Sequence, residues 1–292
     1  MPCTRRTLLK TLTASAIASQ SSWLLGCTRT QLETPFQSLE QQHRGRLGIA
    51  ALDTHTGKRI AYRALECFAM CSTFKVILAG AILAQSTQQK GLLDKRIHYT
   101  AQDLVPYSPI TEQHLHTGMT LGELCTASLQ YSDNTAANLL MHQLGGPQAV
   151  TAYARTLGDN DFQLERWETA LNSAIPGDKR DTTTPQAMLH SLQQLTLGNA
   201  LASQAQTQLI TWMKGNTTGN KRIRKALPQG WQAGDKTGSG DYGTSNDIAI
   251  LFPPKRKPIL LAIYFTQPTQ DAPWNNDVIV EASRLVLQLL EV

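Results

Sequence analysis

The sequence has no apolar run long enough to cross a bilayer as a helix, which takes about 20 residues. The stretch from Leu12 to Leu25 comes nearest, and it is too short and too rich in Ser and Thr. Charge of one sign is not in excess either. The formal net charge of +5 falls to +2 once Arg5, Arg6 and Lys10 are set aside, because the first 27 residues carry no acid. A near-neutral body gives no reason to expect nucleic acid as a partner. Cysteine is scarce, with five in all. Cys3 and Cys27 lie in the first 27 residues, which leaves Cys67, Cys71 and Cys125, an odd number without CxxC spacing. This argues against a disulfide framework or zinc ribbon, and the three are expected to be small buried residues. The seven histidines form no HExxH, so neither metal nor cofactor is expected. Internal repeats and low-complexity segments are also missing.

What is present is an ordinary globular composition, 292 residues with 41% hydrophobic and 17% charged. That is enough for one large domain or two modest ones sharing a core. The N-terminus reads as an export signal over residues 1–27. Arg5-Arg6 resembles a twin-arginine signal, and Leu24-Leu25-Gly26-Cys27 resembles a bacterial lipoprotein processing site. An exported, periplasmic protein is therefore expected. Its only membrane contact would be a lipid anchor at Cys27, the alternative being plain cleavage near that residue.

Residues 31 to 43 read as a helix. Arg46 to Leu52 alternates Leu47, Ile49 and Ala51, the period of a strand with one buried face. Thr54 to Gly57 is a turn, and Arg59 to Arg63 is the returning strand. Strand signals reappear only in Asn246 to Phe252 and Pro258 to Thr266, before a helix over about 276–290. Between them the chain is helical. Ser72 to Gln85 is apolar almost all round and predicts a buried central helix. Thr120 and Glu123 form a capping box, and Pro147 and Pro185 suit first helical turns. Residues 163 to 181 show no period and many charges, the mark of a functional loop. The class is thus α/β (α+β). The chain ends, 31–65 and 218–292, supply an antiparallel sheet with flanking helices, and residues 66–217 form an inserted all-helical domain. A site is expected at their junction.

Three short motifs carry chemistry. In Ser72-Thr73-Phe74-Lys75 a spacing of three puts the hydroxyl and the amine on one helical face. A lysine deprived of solvent can then serve as base to the serine nucleophile. Ser132-Asp133-Asn134 offers a second hydroxyl to relay a proton and an amide to hold a substrate amide. Lys236-Thr237-Gly238-Ser239-Gly240 brings a cation and hydroxyls, with glycines that allow close backbone approach. Any one of these arises by chance, but the ordered set does not.

This trio is the signature of class A β-lactamases and penicillin-binding proteins. The likeness is wider than three motifs. Cys71 to Lys75, Leu129 to Thr135, Ala174 to Asp178, Arg180 to Pro185 and Asp235 to Gly243 all resemble class A serine β-lactamases. The stretch from Lys236 onward is most similar to cefotaximase-type enzymes. The segment Arg166-Trp167-Glu168-Thr169-Ala170-Leu171-Asn172 separates this family from penicillin-binding transpeptidases and from covalent β-lactam sensors, which share the other motifs.

The resemblance implies a β-lactamase/transpeptidase-like fold with a five-stranded sheet. It implies Ser72, Lys75, Ser132 and Glu168 as catalytic residues, Glu168 activating the deacylating water that Asn172 shares. Asn134, Lys236, Thr237, Ser239 and Tyr107 would line the substrate cleft. The amides of Ser72 and Ser239 would hold the oxyanion. Ser245 stands where many penicillinases carry a carboxylate-binding arginine. The resemblance to another branch implies Arg222 in its place, on a neighbouring strand and near Lys236 and Thr237, with Arg224→Ala expected to change kinetics little; the alternative is a solvated basic run of Lys221, Arg222 and Arg224. It further implies an Arg166–Asp181 pair and a cis peptide after Glu168. Partners would be small β-lactams, oximino-cephalosporins among them, and clavulanate-type inhibitors, acting on a monomer. Cys71 has Gly240 where carbapenemases of this class often place its disulfide partner.

Overall fold

The computed structural model describes residues 35–292. The export signal, Cys27 and the first residues of the expected N-terminal helix lie outside them. Helix α1, residues 35–43, leads into β1 (Arg46–Asp53) and β2 (Arg59–Tyr62). The chain then leaves the sheet and returns as β3 (Gln232–Ser239), β4 (Ser245–Phe252) and β5 (Ile259–Thr266). The five strands run antiparallel in the order β2-β1-β5-β4-β3. The fold is the α/β one expected, with both chain ends in a single sheet.

Strand β1 departs from the expected single buried face, because all its residues after Arg46 are buried. Leu47, Ile49 and Ala51 pack with Phe36 and the C-terminal helix, while Ala50 and Leu52 join a second core on the helical side. Small residues on that second face hid its burial from the hydrophobic pattern. Gly48 shows why they are small: a Cβ there would meet the Phe68 ring at 2.4 Å and Pro185 Cγ at 2.9 Å. The sheet is covered on both sides.

The helical layer contains α2 (Lys75–Gln88), α3 (Leu121–Gln130), α4 (Asn134–Leu144), α5 (Pro147–Thr156), α6 (Pro185–Thr196) and α7 (Ser203–Lys214). Helix α2 is buried from Lys75 through Leu83, as its apolar circumference predicts. It begins later than expected, since Cys71–Phe74 forms a 3-10 turn ahead of it. The capping box holds: Thr120 accepts from the Glu123 amide at 3.2 Å, and Glu123 accepts from the Thr120 amide at 2.7 Å. Pro147 and Pro185 open α5 and α6. A short helix α8 (Ile223–Ala226) precedes β3, and α9 (Asn276–Leu290) closes the chain against the sheet. Residues 163 to 181 contain the 3-10 turn Ala170–Ser173 and a single bridge from Gln163 to Thr182. Of the three cysteines expected to be buried, Cys71 and Cys125 are, but Cys67 is exposed. It sits in the connection before Phe68, where no second layer covers it.

Candidate active site

Ser72 lies in the 3-10 turn at the foot of α2, wedged against β3 and β4. Asn246 holds this turn, donating to the Ala69 and Met70 carbonyls at 2.8 and 3.1 Å. Gly238 lets β3 approach it, since a Cβ there would stand 2.7 Å from the Met70 oxygen. One turn of chain onward, Lys75 is fully buried and meets three acceptors. They are Glu168 Oε1 at 2.9 Å, the Ser132 carbonyl at 2.9 Å and Asn134 Oδ1 at 2.7 Å. Three acceptors match the three protons of an ammonium.

Glu168 comes from the 163–181 loop. Its Oε1 stands 3.5 Å from Ser72 Oγ, and its Oε2 accepts from Asn172 Nδ2 at 2.6 Å. The other amide atom, Asn172 Oδ1, is buried with no partner among the described residues. A buried acceptor of this kind calls for a donor such as water. The Glu168-Thr169 peptide is cis. Arg166 and Asp181 pair at 2.5 Å, and the same carboxylate accepts the amides of Glu165 and Arg166 at 2.8 and 2.9 Å. The base of the loop is therefore tied where the sequence placed it.

Asn138 is a residue that sequence reasoning missed. It brackets the Glu168 backbone, accepting from its amide and donating to its carbonyl, both at 3.0 Å. Its spacing of four from Asn134 on one helix was the available signal. Asp133 was read only as part of a motif. It caps α4 through the Ala136 amide at 2.8 Å and accepts from the amides of Ile110 and Thr111. It thereby fixes the loop that bears Tyr107. Asn134 donates to the Pro106 carbonyl at 2.9 Å, and its amide donates to the Tyr107 carbonyl at 3.0 Å. The Tyr107 ring is largely exposed.

Across the cleft, Lys236 is buried in β3 and donates to Ser132 Oγ at 3.0 Å and to the Thr237 carbonyl at 2.8 Å. Burial, aided by the nearby charge of Lys75, holds its pKa well below the ordinary lysine range. Ser132 adopts a left-handed backbone, φ 59°, a conformation that costs a non-glycine residue energy and is common where geometry serves function. Thr237 Oγ1 bonds Thr218 Oγ1 at 2.5 Å, a contact that the motifs gave no means to foresee.

Arg222 requires a correction. It does not lie on a strand but immediately precedes α8. It reaches β3 at Gly238 and Ser239, one residue beyond Thr237 and near enough for its charge to act on Lys236. Its Nη1 donates to the Gly238 and Asn246 carbonyls at 2.7 and 2.6 Å, Nη2 to Ser239 Oγ at 2.6 Å, and Nε to Asn276 at 2.8 Å. Backbone acceptors on two strands draw the guanidinium under the sheet edge. Arg224 is a structural residue. It pairs at 2.5 Å with Asp235, whose side chain is wholly buried.

Among the described residues, no cluster of three His, Cys, Asp or Glu side chains is arranged for a metal ion. The chemistry available is that of a buried serine, two lysines and a carboxylate aimed at a shared point. Fold and site together describe a serine enzyme with a buried lysine and a carboxylate held beside its nucleophile.

Comparison with known proteins agrees. Residues 31–290 match the family described as the β-lactamase enzyme family. Beta-lactamase OXY-2 of Klebsiella oxytoca is 52% identical over 272 residues, 93% of each chain. Beta-lactamase Toho-1 of Escherichia coli is 51% identical over 97% of each chain. A crystal structure of a β-lactamase from Desulfarculus baarsii superposes with a TM-score of 0.89 at 52% identity, covering 90% of this chain and 98% of that one. The chain belongs to the β-lactamase enzyme family, within its class A serine enzymes.

Proposed function

We propose that the protein opens the ring of penicillins and cephalosporins through an acyl-enzyme on Ser72, releases the product with water activated by Glu168, and so confers resistance. The observation that carries this is the placing of Glu168, within 3.5 Å of the Ser72 oxygen, against Lys75 and gripped by Asn172. A penicillin-binding transpeptidase has no need of a carboxylate aimed at its own acyl bond. In acylation, Ser72 attacks the lactam carbonyl. Its proton goes to Lys75, or to Glu168 through water. The amides of Ser72 and Ser239 receive the oxyanion. Ser132, in contact with Lys236, relays a proton to the leaving nitrogen. The depressed basicity of Lys236 lets it give that proton up. Lys236, Thr237 and Ser239 face the substrate carboxylate, with Arg222 behind Ser239, while Asn134 and Tyr107 flank the side chain of the substrate.

The same reading assigns residues 31–65 and 218–292 to an α/β domain and 66–217 to a helical one, with the cleft between them. It makes the protein a monomer, susceptible to clavulanate, exported to the periplasm and anchored through Cys27. Among the described residues no helix is long and apolar enough to cross a membrane. Oximino-cephalosporins fall within the proposed range. Carbapenems, named for a Klebsiella oxytoca relative 53% identical over 277 residues, do not. Cys71 here is a free thiol packed on Gly240.

The test is an acid quench milliseconds after mixing with benzylpenicillin, followed by peptide mapping. The adduct should sit on the tryptic peptide that ends at Lys75. An adduct confined to the Ser132 peptide would overturn the assignment.

Two further outcomes are expected. Arg222→Ala should lower kcat/KM for penicillins by about ten- to hundredfold, the loss of about 1.5–3 kcal/mol of charge-assisted binding, and should weaken clavulanate inactivation. Unchanged kinetics on several penicillins would free Arg222 from any part in carboxylate binding. Because burial depresses the pKa of Lys236, its charge is lost as pH rises, before ordinary lysines titrate near about 10.4. kcat/KM should therefore fall on the alkaline side below that value. Lys236→Arg should carry the limb to higher pH, since arginine keeps its proton. An unmoved limb would mean that another group titrates.

A further inference from the structure

A cavity of about 740 Å³ opens where the end of α1, the start of β1 and the end of β5 meet the segment Ala174–Arg180 of the 163–181 loop. None of the groups assigned to the chemistry lines it. Its size lies within the range of small-molecule sites, roughly 300–1,000 Å³. Five cations stand on its walls, Arg44, Arg46, Arg166, Lys179 and Arg180, against two acids, Glu40 and Asp178. Three of the cations are paired, Arg46 with Glu66 at 3.0 Å, Arg166 with Asp181 and Arg180 with Asp178. Glu40 is engaged by Arg63 at 2.8 Å, which leaves Arg44 and Lys179 as the surplus. Arg44 and Lys179 are exposed, and neither side chain has an ion pair or hydrogen bond among the described residues. Between the cations lie apolar surfaces from Ala69, Ile175, Pro176 and Pro268.

We propose that this cavity is a second ligand site, for a drug-sized organic anion with an apolar body, and that its occupancy alters deacylation. Surplus cations select the charge, and the apolar strips between them favour an aryl or alkyl carboxylate or sulfonate over an inorganic ion.

Arg166 supplies the coupling. It faces the cavity, pairs with Asp181 and donates to Ser173 Oγ at 3.0 Å. Its Nη2 is also 4.0 Å from Asp178. An anion that draws this guanidinium weakens the tie to Ser173, whose neighbour Asn172 grips Glu168. The effect should fall on the water step and leave acylation alone. This coupling rests on the role given to Glu168 above, whereas binding does not.

The probe is 8-anilinonaphthalene-1-sulfonate, titrated into the folded protein and followed by its fluorescence. One saturable site is expected. Arg44→Glu and Lys179→Glu, both exposed substitutions that should preserve turnover of nitrocefin without probe, should each weaken binding by about tenfold, the worth of one charge-assisted contact. At saturation the deacylation rate constant should change by roughly threefold or more, since small displacements of a catalytic group are costly, with acylation unchanged. No saturable signal, or affinity indifferent to both charge reversals, would overturn the site. Binding without any change in deacylation would overturn the coupling. A protein that proved unable to turn over β-lactams would still report on the site by fluorescence.

Discussion

Glu168→Gln is expected to acylate at close to the wild-type rate and then to stall. The amide retains the shape of the side chain and its contact with Asn172, but it cannot take a proton from water. A positioned general base is worth about 10²–10⁴-fold, so kcat should fall by that order. One equivalent of benzylpenicillin should be consumed in a burst, with the opened ring retained on the protein, and intact-mass measurement should show it covalently loaded for minutes. The substitution also removes the partner of Lys75, an ion pair buried on both sides at 2.9 Å. If acylation slows as much as deacylation, Glu168 is the base for both steps. If it keeps its rate, Lys75 suffices. Wild-type turnover without accumulated adduct would remove Glu168 from the mechanism.

The second large effect is on stability and arises at Asp235, the neighbour of Lys236 on β3. Arg224→Ala would strand Asp235, a carboxylate with no exposed side-chain surface. Removing one partner of a buried pair costs about 3–5 kcal/mol. At about 2–4 °C per kcal/mol for a protein of this size class, Tm should drop by roughly 6–20 °C. The pH dependence identifies the cause. Burial holds the pKa of Asp235 above the ordinary carboxylate value even with Arg224 and Asn216 beside it. Without Arg224 it rises further. A folded-state pKa above the unfolded one, about 3.9, gives a penalty that is absent at low pH and grows as pH rises from there toward the folded value. The variant should therefore be closest to wild type in acid and fall behind toward neutrality. Adding Asp235→Asn should restore much of the loss, because no buried charge then remains. A pH-independent deficit would attribute the effect to lost packing of the arginine stem.

Most of the catalytic constellation was legible in the sequence because its parts are local. Ser72 and Lys75, Ser132 and Asn134, and Glu168 and Asn172 each lie within four residues, so motif and resemblance located them together. The Arg166–Asp181 pair, across one loop, followed from the same pattern. What escaped were contacts made between distant segments by residues of ordinary type. Asn138 reaches the Glu168 backbone, Asn246 reaches the turn before Ser72, and Thr218 meets Thr237. Only Asn138, four residues from Asn134 on one helix, left a local trace.

Arg222 was expected on a strand but immediately precedes α8, from where it still reaches Ser239. In the fold, alternation in β1 revealed one face and concealed the other, since Gly48 and Ala50 are too small to register as core. Strand β3 carries the Lys-Thr-Gly motif among glycines, and with Thr237 alone it has too few of the β-branched residues that announce a strand. Its partner β4 supplies them instead.

The central claim is that the acyl-enzyme turns over, and steady hydrolysis by the purified protein tests it most directly. Mixed with a hundredfold excess of nitrocefin, the wild type should consume the substrate at a constant rate until it is exhausted. A single burst equal to the protein concentration, followed by no further hydrolysis, would contradict the account. It would place the chain with the penicillin-binding proteins that its other motifs resemble.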